Sequence, residues 1–114
     1  MVTPSVGSVI LVPFPFSDLS HSKLRPVVAL ADVGRGDWIL CQITSKSYSD
    51  ARAVELTNAS FDKGSLHVVS YARPGKLFTA NRSLMVRQIG VLRQDTLKQI
   101  VDAVVELLNT GLQP

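Results

Sequence analysis

Short apolar runs separated by polar turns fill the first ninety residues of the chain, and the period of the pattern changes only near the end. Three of these runs are short enough to be buried strands: 9–12, 26–31 and 38–43. The turn-forming residues 34–37 connect the last two runs and predict a hairpin. Pro13 and Pro15 follow the first run and are expected to end its regular pairing.

The second half of the chain predicts further strands and then a helix. The predicted elements are a weaker strand at 53–56, a loop at 58–64, a strand at 66–71, a turn at 73–76, an extended piece at 76–79 and an alternating strand at 83–89. Apolar residues then recur with helical spacing from Leu97 to Leu108, and Gly111 is expected to end the helix in a left-handed conformation. We expect residues 1–114 to form a single domain, mainly β with a C-terminal α-helix, as a small β-barrel.

Composition excludes several classes of protein. With 114 residues, 46% of them hydrophobic and 18% charged, the chain is long enough and apolar enough for one folded core. Charges interrupt every apolar run before it could span a membrane, and the N-terminus lacks the features of a signal peptide. The one cysteine, Cys41, lies in an apolar run and is expected to be a small core residue in a reducing cytoplasm. No zinc site, other metal motif or cofactor motif is present in the sequence.

Charge is distributed unevenly. The net charge is +3, and residues 63–94 contain six basic side chains but no Asp or Glu. Such a stretch can create a positive surface that attracts the phosphate backbone of a nucleic acid. Ordinary solvated charges on strands and turns would give the same sequence, so the asymmetry favours nucleic acid without deciding the matter.

The candidate chemistry lies at the ends of two predicted strands. Polar residues precede the second strand (Ser17, Asp18, His21, Lys23, Arg25) and follow the third (Thr44, Ser45, Lys46). Because a hairpin is antiparallel, Arg25 and Thr44 are expected to lie close together. Pro26 keeps Arg25 extended, and the guanidinium fork can bind two phosphate oxygens while a neighbouring hydroxyl adds a third hydrogen bond. A surface arginine beside a strand cap would be the simpler interpretation of the same residues.

Five segments together carry a family resemblance: GSVILVPFPF at 7–16, KLRPVVAL at 23–30, ITS at 43–45, SYARPGKLF at 70–78 and IGVL at 89–92. In this order they resemble the PemK/MazF toxins of type II toxin–antitoxin systems. The resemblance implies an SH3-like barrel that forms a homodimer, works in the cytoplasm and is neutralised by an antitoxin with an acidic, partly disordered tail, with DNA binding by the toxin–antitoxin complex. It also implies a metal-independent, sequence-specific endoribonuclease for single-stranded RNA, an mRNA interferase in which the ribose 2′-hydroxyl attacks the adjacent phosphate.

The resemblance also assigns roles to residues. Arg25 and Thr44 match the catalytic arginine and threonine of the family, and Ser45 is a second candidate beside Thr44. His21 occupies the loop where some members place a histidine that contacts substrate. Six residues are expected to bind RNA: Ser17, Asp18, Lys23, Lys46, Arg73 and Lys76.

The sequence departs from the family pattern in two places. Many members carry an acid–glutamine pair near Ala72 and Arg73, and some carry a glutamate in the first loop, where this chain has Asp18. The general base is therefore open between His21, Asp18 and water. A non-enzymatic toxin or binding module on the same fold, similar to the CcdB gyrase poisons, is the alternative function, and it would not need the Arg25–Thr44 pair.

Overall fold

One curled antiparallel sheet of seven strands and a C-terminal helix make up the part of the chain that the computed structural model describes, residues 2–15, 22–47 and 49–112. The strands are β1 (Ser8–Pro15), β2 (Ser22–Gly34), β3 (Asp37–Thr44), β4 (Val54–Leu56), β5 (Phe61–Gly64), β6 (Ser70–Asn81) and β7 (Arg87–Leu92), and the helix is α1 (Gln94–Thr110). Their order across the sheet is β4-β6-β3-β2-β1-β7-β5. The predicted class, mainly β with one C-terminal helix in a small barrel, is confirmed.

Both faces of the curled sheet are covered, which explains why the central runs are apolar at consecutive positions. Val28 and Cys41 belong to a cluster that includes Leu97 and Ile100 of α1. Val27, on the other face, belongs to a second cluster that includes Trp38, Leu40 and Met85. The predicted hairpin is confirmed, since β2 and β3 pair antiparallel on either side of a turn at residues 35–36. Within the described residues, the helix is not long and apolar enough to cross a lipid bilayer.

Pro13 and Pro15 do not end the pairing of β1, contrary to the prediction. The β1–β2 ladder continues through them to the pair Pro15↔Ser22. The carbonyl of Leu11 accepts the Val86 N–H at 2.9 Å, on the side of β1 that faces β7. Backbone groups of alternate residues in a strand point to the same side, so the nitrogens of Pro13 and Pro15 also face the β7 side of β1. The β1–β7 ladder ends at Leu11. The missing N–H groups of the two prolines therefore cost no hydrogen bond to β2.

Three predictions for residues 58–76 were wrong. Residues 58–64 are a 3₁₀ helix (Asn58–Ser60) followed by strand β5, rather than a loop. The strand predicted at 66–71 begins only at Ser70, because His67 has a φ of 65° that an extended strand cannot contain. The predicted turn at 73–76 lies within β6 as an irregularity opposite β3. The extended piece predicted at 76–79 is confirmed, since it is part of the same strand.

The last strand and the helix end also differ from expectation. Residues 82–84 form a 3₁₀ helix whose start is capped by the Asn81 side chain, so the strand predicted at 83–89 begins at Arg87 instead. The helix itself is confirmed over Gln94–Thr110. Gly111 has a φ of −72° and is not left-handed; its N–H donates to the Asn109 carbonyl. The weaker strand predicted at 53–56 is present as β4.

Candidate functional site

An open groove of about 720 Å³ lies where the ends of β2 and β3 meet β7 and the loop that follows β5. Lys23, Arg25, Thr44 and Ser45, four of the residues chosen from the sequence, line this groove together. The ladder between β2 and β3 pairs Val27 with Gln42, and extending that register by two residues places Arg25 opposite Thr44. The hairpin therefore places the two side chains together, as predicted.

Arg25 reaches the groove from a restrained backbone. It is half-buried within β2, it is paired across the ladder with the buried Val12, and Pro26 follows it. A proline at the next position keeps the arginine backbone extended. The guanidinium thus projects from a fixed point and carries a permanent positive charge with several hydrogen-bond donors.

Thr44 supplies a nearly buried hydroxyl at the end of β3. The residue is 6% exposed, and its Oγ1 accepts the backbone N–H of Lys46 at 3.3 Å. A hydroxyl that accepts one hydrogen bond still has a proton to donate. Ser45, the next residue, is exposed and offers a second hydroxyl to the same groove. An arginine and two hydroxyls on one wall are groups that can bind a phosphate.

The opposite wall contains residues that the sequence did not identify as a site. Ser65 and His67 come from the loop after β5, and Arg87 and Gln88 come from β7. Leu11 of β1 pairs with Pro26 on one side and with Arg87 on the other. The backbones of β2 and β7 are therefore separated there by two inter-strand spacings, about 10 Å.

A β-bulge shapes the β7 side of this wall. Val9 pairs with Gly90, but the next residue of β1, Ile10, pairs with Gln88, so Ile89 is the extra residue. Bulges of this kind bend a strand and redirect its side chains, and they are common beside functional sites. In the sequence, only the position of Arg87 within the basic stretch 63–94 indicated that it could belong to a binding site. His67 was not identified because it lies in a segment that was predicted to be a strand.

The groove is positively charged. Its lining contains three permanent cations, Lys23, Arg25 and Arg87, and among the described residues that line it there is no Asp or Glu. A concave surface with one sign of charge concentrates ions of the opposite sign. Within the described part of the chain, no group of three or more His, Cys, Asp or Glu side chains could hold a metal ion.

Three predicted RNA-binding residues lie elsewhere. Lys46, Arg73 and Lys76 do not line the groove; Lys46 and Lys76 are exposed. The Arg73 Nε donates to Asp50 Oδ2 at 3.2 Å, so this arginine joins β6 to the segment after β3. The N–H of Arg52 and the Arg73 side chain lower the pKa of Asp50 below its ordinary value, which keeps the pair ionised. Ser17, Asp18 and His21 lie outside the described residues.

Phe14 and Cys41 are packed into the interior of the protein. Phe14 is half-buried and packs edge-on against Phe78 with ring centroids 5.1 Å apart, whereas Phe16 lies outside the described residues. Cys41 is fully buried, its Sγ donates to the Arg73 carbonyl at 3.2 Å, and burial raises the pKa of the thiol to about 12. A thiol in this state is a core residue rather than a nucleophile, as predicted.

Comparisons with known proteins give one family. The family model for PemK-like, MazF-like toxins of type II toxin–antitoxin systems matches residues 5–108. No curated protein sequence matches the chain significantly.

Solved structures share the fold at low sequence identity. A MazE–MazF complex from Deinococcus radiodurans superposes with a TM-score of 0.78 at 17% identity, covering 96% of this chain and 98% of that one. The Mycobacterium tuberculosis toxin MazF-mt6 superposes with a TM-score of 0.69 at 20% identity, covering 90% of this chain and 96% of that one. An endoribonuclease from a mycobacterial species, in complex with its cognate antitoxin, superposes with a TM-score of 0.70 at 15% identity, covering 96% of each chain.

Proposed function

The chain belongs to the family of PemK-like, MazF-like toxins of type II toxin–antitoxin systems, and from this premise we propose that its groove is the active site of an endoribonuclease that cuts single-stranded RNA without a metal ion. The observation that carries the proposal is the presence of Arg25, Thr44 and Ser45 on one wall of a groove lined by cations. A phosphodiester bound there meets both permanent charge and hydroxyl donors.

The proposed reaction is an internal transfer of the phosphoryl group. The 2′-oxygen of a ribose attacks the adjacent phosphorus, the bond from phosphorus to the 5′-oxygen breaks, and the products are a 2′,3′-cyclic phosphate and a free 5′-hydroxyl. Arg25 stabilises the negative charge that develops on the phosphorane, and Thr44 orients a non-bridging oxygen. Ser45 supports Thr44, and Lys23 and Arg87 attract the neighbouring phosphates.

Two protons move in this reaction. The attacking hydroxyl loses one to a general base, for which His21 is our first candidate, with Asp18 and water as the alternatives. The departing 5′-oxygen gains the other from a general acid or from water. DNA lacks the 2′-hydroxyl and is therefore expected to be spared.

The family membership supports two partners. We propose that the protein is a cytoplasmic homodimer, as the sequence resemblance implies, and that a cognate antitoxin neutralises it. The solved complexes of related fold pair MazF with MazE and an endoribonuclease with its antitoxin. An acidic antitoxin segment would be attracted to the same cations as RNA, so we expect the two ligands to compete for the groove.

A cleavage assay tests the proposal. Purified protein is incubated with a long single-stranded RNA in EDTA, and the fragments are separated and their ends sequenced. Discrete fragments at one short sequence are the expected result. Intact RNA together with inhibition of DNA gyrase would overturn the proposal and favour a CcdB-like poison on the same fold.

A further inference from the structure

A second, smaller hollow lies next to the groove. Its volume is about 290 Å³, and it is lined by Thr57, Asn58 and Ala59 on one side and by residues 67–69 on the other. His67 and Val68 line the groove as well. These two residues therefore separate the groove from the hollow, and we call them the ridge.

The ridge presents flat and apolar surface to solvent. His67 is exposed, and the two valines that follow it, Val68 and Val69, are 61% and 49% exposed. Imidazole is one of the ring systems on which unstacked bases are held when proteins bind single-stranded RNA. Bases stack on such platforms with little dependence on sequence, because every base has a π face.

Hydrogen bonds hold the ridge in one conformation. The His67 N–H donates to Ser65 Oγ at 2.8 Å, and the Ser65 hydroxyl donates to Asn58 Oδ1. The Val68 carbonyl accepts the Ser70 hydroxyl at 3.1 Å. A platform that is already ordered loses little conformational entropy when a ligand binds.

The far wall of the hollow is equally well fixed. Thr57 and Ser60 form reciprocal side-chain-to-backbone caps at the start of the 3₁₀ helix, and the Ser60 carbonyl accepts the Arg93 N–H at 2.9 Å. No Lys or Arg lies among the described residues that line the hollow. The hollow therefore differs from the groove, because its lining offers ring, apolar and neutral polar surface in place of permanent charge.

We propose that the ridge and the hollow are a subsite for a nucleotide that flanks the cleaved one, with its base stacked on the His67 ring and packed against Val68. This inference rests on the proposed nuclease function, since RNA is the ligand that fills the groove. The strand passes from the cationic groove, where its phosphates are bound, across the ridge into the hollow, whose described lining contains no Lys or Arg. Affinity should therefore depend on RNA length in a way that His67 controls.

The test uses RNA that cannot be cut. Mixed-sequence oligonucleotides with 2′-O-methyl riboses, a tetranucleotide and a decanucleotide, are titrated with protein, and binding is followed by fluorescence anisotropy. The decanucleotide also carries 2-aminopurine, whose fluorescence is quenched on stacking. His67→Asn removes the ring with a residue that tolerates positive φ, and His67→Tyr retains a ring.

We expect His67→Asn to weaken binding of the decanucleotide by about fivefold or more, the lower limit for one stacked base. Tetranucleotide affinity should stay within twofold of wild type, the quenching should be lost, and His67→Tyr should restore both affinity and quenching. Arg35→Asn is the matched control, because Arg35 is also an exposed non-glycine residue at positive φ but lies away from groove and hollow.

Three results would overturn the subsite. The first is that His67→Asn binds the decanucleotide with wild-type affinity, and the second is that it loses affinity equally for both oligonucleotides. The third is that both His67 variants bind RNA normally but no longer cut it, which would indicate that His67 transfers a proton instead. Light scattering gives a further check on the variants. If their molecular mass differs from that of the wild-type protein, the ridge contacts a second copy of the chain, and this result would also count against the subsite. Failure of the wild-type protein to cut RNA refutes the nuclease proposal separately, because the blocked oligonucleotides report binding alone.

Discussion

Arg25 is positioned before any substrate arrives. Its backbone is held in a β ladder and by the following Pro26, and the nearby Thr44 hydroxyl is nearly buried and bonded to the chain. Groups that are already oriented stabilise transition-state charge without a cost of reorganisation at the moment of reaction. The rigidity of these two strand ends is therefore part of the proposed catalysis.

Replacing Arg25 with Ala should lower the rate of RNA cleavage by about 10²–10³, the usual effect of losing one transition-state donor. Arg25→Lys should remain impaired, because an ammonium lacks the planar fork that binds two phosphate oxygens. Initial rates on one mapped RNA measure the effect, and circular dichroism checks the fold. Arg35→Ala, away from the groove, is the control and should cut normally. A folded Arg25→Ala protein with near-wild-type activity would remove Arg25 from the mechanism.

Cys41 should resist alkylation in the folded protein. Its pKa of about 12 leaves a far smaller thiolate fraction at pH 8 than a free cysteine has, and the side chain is fully buried. Labelling with iodoacetamide should therefore be at least about 10³-fold slower in buffer than in denaturant, given a free-thiol pKa of about 8.5. Equal labelling rates in the two conditions would show that the β3–β6 region opens readily.

At the level of elements, the pairing of β5 with β7 fixes the start of the loop that carries His67. Gly64 pairs with Gly90, has a φ of 73°, and an added Cβ would lie 2.1 Å from the Ile89 carbonyl oxygen. Both the dihedral angle and the close approach require glycine there. The wall of the groove opposite Arg25 thus depends on one residue without a side chain.

Gly64→Ala should destabilise the protein by more than about 3 kcal/mol, since a backbone clash is added to the strain of a left-handed alanine, about 1–2 kcal/mol. Gly34 is the matched control, because its φ is 95° but no atom lies within 4 Å of an added Cβ. Gly34→Ala should therefore show the strain alone. Urea unfolding of the two variants measures the difference, and equal losses would mean that β7 moves aside at no cost.

Local signals in the sequence predicted the hairpin and the helix well. Turn residues between two apolar runs determine β2 and β3, and helical spacing determines α1, so the placement of Arg25 opposite Thr44 followed directly. The region 58–89 was predicted poorly because side-chain capping by Thr57, Ser65 and Asn81 breaks the apolar pattern into short pieces. Each of these bonds joins residues only two positions apart, but a pattern of apolar and polar positions does not show which polar side chain will cap the backbone.

The second wall of the site could not be predicted from local patterns. Arg87 enters the groove because β7 pairs with β1, a contact between residues far apart in the chain, with a bulge at Ile89 that changes its register. His67 enters through a loop with positive φ. The basic stretch 63–94 indicated the sign of the charge but not which of its members share a surface.

On the scale of the whole molecule, the uneven distribution of charge along the sequence becomes an uneven distribution of charge over the surface. Lys23 and Arg25 come from the first half of the chain and Arg87 from the basic stretch, and the fold brings them to one groove. Other basic residues are placed differently: Arg73 is paired with Asp50, and Arg82 is exposed outside the groove. Attraction of RNA should therefore depend on particular cations more than on the net charge.

The salt dependence of RNA binding tests this distribution. For single strands, each neutralised phosphate contributes about −0.7 to the slope of log K against log salt concentration. Arg87→Ala should make the slope shallower by about 0.7, whereas Arg82→Ala, which removes the same charge outside the groove, should leave it nearly unchanged. The slopes are measured with the 2′-O-methyl decanucleotide. Equal changes in both variants would indicate diffuse attraction by the whole basic surface.

The most direct test of the central claim is the cutting of two RNAs that differ by one oxygen atom. The first carries the mapped cleavage sequence, and the second has deoxyribose in place of ribose at the nucleotide before the cut. In EDTA, the wild-type protein should cut the first, leaving a 2′,3′-cyclic phosphate and a 5′-hydroxyl, and should leave the second intact at that position. Cutting of the deoxy-substituted strand at the same bond would contradict the account, because no 2′-hydroxyl would be there to attack.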